Sequence, residues 1–115
     1  MNLEETIQSF IKHATIHDDT QHSGNYRKGN KSAALLFALS DEIHGDKDNG
    51  PEIIDRLLEQ TNPGVLIWAS GLAIEMNYRK KDAIHILRDL SSNQELGIQS
   101  HNAEMSLTEY KKKRY

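Results

Sequence analysis

The sequence predicts an all-α fold of five to six helices packed as antiparallel pairs, in one domain spanning residues 1–115. Three observations carry that reading. Apolar residues recur at steps of 3 and 4 along nearly the whole chain. No segment alternates apolar and polar residues for five or more positions between turn signals. Connections such as Gln60 to Pro63 and Asn77 to Lys80 are short, so successive helices must fold back on one another.

The first helix carries Leu3, Ile7, Phe10, Ile11 and Ala14 on one stripe, with Asn2 as its cap and Glu5 placed to reach back to that cap. It should stop within the polar segment Asp18 to Gly24. A second helix begins near Asn25 and buries Leu35, Leu36, Leu39 and Ile43. Its Gly29 costs about 1 kcal/mol against alanine. Gly45 is expected as the residue just past its end. A third, short helix opens at Asn49-Gly50-Pro51-Glu52 and buries Ile53, Ile54, Leu57 and Leu58.

Asn62 and Pro63 cap and open a fourth helix, which runs to about Met76. Val65, Trp68, Ala69, Leu72, Ala73 and Met76 make it apolar on most sides, so it is predicted to be central, with Trp68 in the core. Ala83, Ile84, Leu87 and Leu90 define a fifth helix, closed by Ser91-Ser92-Asn93. A sixth is expected from a cap at Ser100, with Ala103, Leu107 and Tyr110 facing inward and a frayed basic tail over about 111–115.

The 115 residues carry 17 acids and 14 bases, a net charge of −3, which fits a soluble globular chain. The absence of cysteine removes disulfides, thiol catalysis and Cys-ligated zinc. The longest charge-free run, Gln60 to Ile74, has 15 residues and includes Pro63 and two glycines, too short for a membrane span. Met1 to Glu5 lacks a basic region leading into an apolar stretch, so a cytoplasmic location is expected.

The stretch Asn62 to Asp89 reads as a cap and proline, an apolar helix, a brief turn and a second amphipathic helix. Tyr26 and Asn30 stand four apart at the head of the second helix, Asn62-Pro63 precedes Val65, and Ala103, Met105 and Leu107 follow in the last helix. In that order these features resemble a family of small bacterial domains of unknown function, the one numbered two thousand and nineteen among such families. The resemblance implies a short HEAT-like α-α superhelix and no catalytic residues. HEAT repeats usually place arginine after the valine, where this chain has Leu66. Some related small helical proteins are similar to immunity proteins encoded beside secreted toxins.

Charge is unevenly distributed. Asp41, Glu42, Asp46, Asp48, Glu52, Asp55 and Glu59 face only Lys47 and Arg56, a local charge of −5. Such a field can steer a basic partner. This segment is therefore the expected partner-binding surface, with Asp18, Asp19, Tyr26 and Asn30 as secondary candidates. Tyr26 and Asn30 share a helix face, where a structural tie from Asn30 to a neighbouring element competes with a binding role.

His13 and His17 also share a face, and Asp18 and His22 lie nearby. Ala14 stands where a zinc peptidase would need glutamate, so surface or core-edge histidines are expected, with no metal and no cofactor. His85 is expected to face solvent. Basic clusters at Arg27-Lys28-Lys31, Arg79-Lys80-Lys81 and Lys111 to Arg114 lack aromatic interleaving, which disfavours nucleic acid. The expected function is a non-enzymatic protein-binding module, an immunity protein for a basic toxin domain. A regulatory or scaffolding helical-repeat protein is the alternative, and a histidine-based metal protein a further one.

Overall fold

Local signals in the chain translate directly into helix ends. In the computed structural model, which describes residues 2–113 (the last by its backbone alone), Asn2 accepts a hydrogen bond from the Glu5 amide at 2.8 Å and donates to the Glu5 carboxylate at 3.1 Å. One unpaired amide of the helix start is thereby satisfied, and the two side chains hold each other in place. This opens α1 (Leu3–Ser23), and Gly24 ends it in the left-handed region at φ 79°. Asn25 caps α2 (Tyr26–Gly45) through the Lys28 amide. The helix α3 (Gly50–Leu58) starts with Pro51 in its first turn.

Asn62 caps α4 (Pro63–Glu75) by accepting from the Gly64 and Val65 amides at 2.8 and 3.3 Å. The helix α5 (Lys80–Ser92) follows, then a 3₁₀ turn at Gln94–Leu96 and α6 (Ile98–Lys113). No strand occurs among the described residues, so the fold is all-α with six helices, as the periodicity predicts.

Helices adjacent in sequence pack as pairs, α1 on α2, α4 on α5 and α5 on α6. Central α4 also touches α1, α3 and α6, which is why it has no polar face to spare. Its Val65, Ala69, Leu72, Ala73 and Ile74 are buried, together with Ile7, Phe10 and Ala14 of α1 and Leu36, Leu39 and Ile43 of α2. Ile53, Ile54 and Leu57 of α3, Ala83 and Leu87 of α5, and Ala103 and Leu107 of α6 complete one continuous core. The Cα radius of gyration is 13.3 Å. Gly29 is buried where α2 meets Thr20 of α1. A Cβ there would stand 2.5 Å from the Thr20 hydroxyl oxygen, so its helix-propensity cost is offset by a close approach of two helices.

Four local expectations change. Leu35 is 41% exposed, because the buried stripe of α2 runs through Ser32, Leu36, Leu39 and Ile43 and leaves Leu35 beside it. Gly45 is the last residue of α2 at an ordinary negative φ, and Asp46 serves as its C-cap. Ser100 lies inside α6 rather than capping it, since Gly97 already redirects the chain and the Ser100 hydroxyl donates to the Ser91 carbonyl at 2.8 Å. Trp68 is only partly buried, for it stands at the edge of the core beside an open groove.

Candidate functional site

The helices α1, α2, α4 and α6 do not close fully on one another. Between them lies a groove of about 320 Å³, walled by Phe37 of α2 and Met105 of α6 and lined by Trp68 and Gly71 of α4. Shared residues, including Phe37, Glu75 and Met105, join it to a second hollow of about 370 Å³ that ends at Glu109 and Tyr110. Phe37 is 62% exposed and Met105 49%, so the rim presents large apolar side chains to solvent. The His17 ring meets Trp68 edge-on, with centroids 5.4 Å apart, and Phe37 meets the same indole at 5.2 Å. Three rings therefore support each other's orientation at one wall.

Polar groups converge at the same place. Asp18 and Gln21 enter from α1, Gln99 and Asn102 from α6, and the Asn102 amide donates to the Gln21 carbonyl at 2.8 Å across the helices. Gln99 is 4% exposed, and its Nε2 has no hydrogen-bond partner. Asp18 Oδ1 is buried and equally unpartnered in hydrogen-bond geometry, although His22 Nε2 lies 3.4 Å away. Burial raises the Asp18 carboxyl above the usual carboxylate range, against the pull of His22, with Asp19 adding to the rise. Burial also lowers His17, favouring its neutral ring, although Asp18 opposes that shift.

Among the described residues the charged groups lining the two hollows are Asp18, Glu75 and Glu109, with no lysine or arginine. Lys80 lies near the far end, its ammonium 5.1 Å from the Tyr110 ring centroid. Sequence reasoning singled out His17 and Asp18 but missed the groove. One signal was available. Gln99, Asn102 and Ser106 repeat at steps of 3 and 4, a polar stripe on α6, and all three line the groove.

The acidic segment divides into two kinds of residue. Asp46 accepts from the Asn49 amide at 3.0 Å and from its side chain at 3.2 Å, and these bonds hold its carboxyl below the usual range. Asp55 accepts from the Tyr78 hydroxyl at 3.0 and 3.1 Å and from Arg79 at 3.2 Å. Arg79 adopts a left-handed φ of 52° at the start of α5 and also pairs with Asp82 at 3.0 Å. Asp55 thus ties α3 to the turn between α4 and α5. By contrast Asp41, Glu42, Asp48, Glu52 and Glu59 are exposed and make no ion pair among the described residues. Of the two cations in this segment, Lys47 is exposed and Arg56 is engaged with Glu4 through two bonds of 2.7 and 3.3 Å.

The remaining candidates scatter. Tyr26 is 71% exposed, Asn30 and Asp19 are exposed, and no side-chain bond ties Asn30 to another element among the described residues. His13 is half-buried with an unpartnered Nδ1, lowered by burial and by Lys12. His13 and His17 belong to no group of three His, Asp or Glu able to hold a metal ion among the described residues. His85 is exposed and lies 3.3 Å from Asp89. Of the basic clusters, Arg79 is committed to Asp55 and Asp82, Lys111 and Lys112 are exposed at the end of α6, and Arg114 and Tyr115 lie outside the described residues. No helix among the described residues is long and apolar enough to cross a membrane.

No family model matches this chain, and no curated protein matches it by sequence. Among solved structures it is similar to the protein RPA1889 from Rhodopseudomonas palustris CGA009, with a TM-score of 0.85 at 18% identity. The match covers 100% of this chain and 93% of that one. At that identity the likeness shows the fold, and the six-helix arrangement is one that an independent crystal structure shares.

Proposed function

We propose that this is a non-enzymatic protein-binding module, an immunity-type protein that neutralises a basic toxin domain in the cytoplasm. The observation that supports it is the set of exposed, unpaired carboxylates at Asp41, Glu42, Asp48, Glu52 and Glu59. Carboxylates committed to the fold, such as Asp55, are held by neighbours. These five make no ion pair among the described residues, although Arg56 lies within the field of Glu52 and Glu59, so most of their field acts outward on an approaching cation and raises its encounter rate. The similarity of the Tyr26/Asn30, Asn62-Pro63-Val65 and Ala103/Met105/Leu107 motifs to a small bacterial HEAT-like family belongs to the same reading.

The test is affinity capture from the native cell with the unmodified protein and, in parallel, an Asp48→Lys, Glu52→Lys, Glu59→Lys variant. A basic toxin domain retained by the first and lost from the second, with its toxicity suppressed by equimolar unmodified protein, is the expected result. A partner retained equally by both removes the acidic surface from the reading. A partner without toxic activity removes the immunity role.

A further inference from the structure

We propose that the groove between α1, α2, α4 and α6 is a binding site for an organic cation, a guanidinium or ammonium head carried on an apolar stem. Four observations on the groove lead there. Its volume, about 320 Å³ and continuous with a further 370 Å³, is in the range of small-ligand sites. Among the described residues its charged lining consists of carboxylates, Asp18, Glu75 and Glu109, which repels anions and attracts cations. Its walls are aromatic, with Trp68 fixed between His17 and Phe37, and an indole face is the best aromatic partner for a cation or a flat guanidinium.

The fourth observation concerns hydrogen bonds left unmade. Gln99 is more than nine-tenths buried and its amide Nε2 has no partner among the described residues, and Asp18 Oδ1 is buried with His22 Nε2 at 3.4 Å as its neighbour. Buried polar groups are ordinarily satisfied, and two unsatisfied side chains facing one hollow mark a place where a partner belongs. A guanidinium or ammonium offers N–H donors to the Asp18 carboxylate; the unmet Gln99 atom, Nε2, is itself a donor, so Gln99 joins the site only with its amide turned end for end to present its oxygen. The stem then lies along Ile67, Leu72 and Met105. The site is separate from the acidic residues of α2 and α3, so this inference does not depend on the toxin reading.

Trp68 is the only tryptophan, so its fluorescence reports the groove directly. The experiment titrates the full chain with N-acetyl-arginine amide, with its neutral isostere N-acetyl-citrulline amide, and with 4-aminobutylguanidine. The arginine derivative should bind saturably and the citrulline derivative roughly tenfold or more weakly, the factor expected of one charge-assisted contact. Asp18→Asn should weaken arginine binding by a similar factor. Glu75→Gln, an exposed change that leaves the core untouched, should weaken it less. Tighter binding of 4-aminobutylguanidine would identify a free amine as the source of the cation, and tighter binding of the capped arginine a protein side chain. Equal binding of the arginine and citrulline derivatives, or unchanged binding in both variants, overturns the proposal.

Discussion

Two glycines of α4 carry opposite consequences for the same substitution. At Gly64 a Cβ would stand 2.9 Å from the Asp18 Cβ, 3.1 Å from Asn62 Oδ1 and 3.3 Å from the Ala14 carbonyl oxygen. None of these is the free end of a flexible chain, so α1 would have to move away from α4. Overpacking of this kind costs about 1–3 kcal/mol. The alanine offsets little of it, because Gly64 sits in the first turn. At Gly71 nothing lies within 4 Å of the added methyl. There alanine should stabilise by about 0.5–1 kcal/mol through its helix propensity. The two variants should therefore differ by about 3 kcal/mol, which at roughly 4 °C per kcal/mol separates their melting temperatures by about 12 °C. Thermal unfolding by circular dichroism, checked by urea titration, measures this. A Gly64→Ala protein that melts at or above the unmodified one, or a Gly71→Ala protein that melts below it, would refute the packing argument.

Other consequences follow from single contacts. Asn62→Ala removes the oxygen that accepts from Gly64 and Val65, and should cost about 1 kcal/mol in urea unfolding. Tyr78→Phe deletes the hydroxyl proton that Asp55 shares between its two oxygens, with a small loss of stability expected in urea unfolding. Asp55→Asn in the Tyr78→Phe background should then add less than it does alone. Asp18 tests the electrostatics of the groove. Its raised folded-state pKa means that the native protein holds a proton which the unfolded chain has released, so stability falls as pH rises from the unfolded value through the folded one. Asp18→Asn should flatten that slope and leave the protein more stable than the unmodified chain at neutral pH. Cation binding runs the other way and should weaken as pH drops through the same interval.

Most of the fold was legible because its signals are local. The Asn2/Glu5 and Asn62/Pro63 starts depend on residues within one turn, and both hold in the structure. The errors arose where tertiary contact decides. Leu35 and Leu36 are chemically alike, and only the direction from which α1 and α3 approach α2 determines which is buried. Trp68 looked like core because α4 is apolar all round, but the gap between α2 and α6 leaves its ring at an opening. The acidic segment was visible as charge. Its division into structural acids and free ones was not, since Asp55 finds Tyr78 and Arg79 more than twenty positions away. The groove was the least legible feature, because its lining comes from four helices that only the tertiary fold brings together, and the polar stripe of α6 is a faint local sign of it.

The salt dependence of the association rate distinguishes a surface that steers its partner from one that does not. With the captured partner in hand, the association rate should be measured against salt concentration for the unmodified protein and for the Asp48→Lys, Glu52→Lys, Glu59→Lys variant. Exposed charges are screened beyond about 8 Å at physiological ionic strength, so the unmodified protein should associate more slowly as salt rises. The variant should be slower at low salt by about tenfold or more and show a flatter or inverted dependence. Identical rates and slopes for the two proteins would contradict the claim that these free carboxylates guide a basic partner.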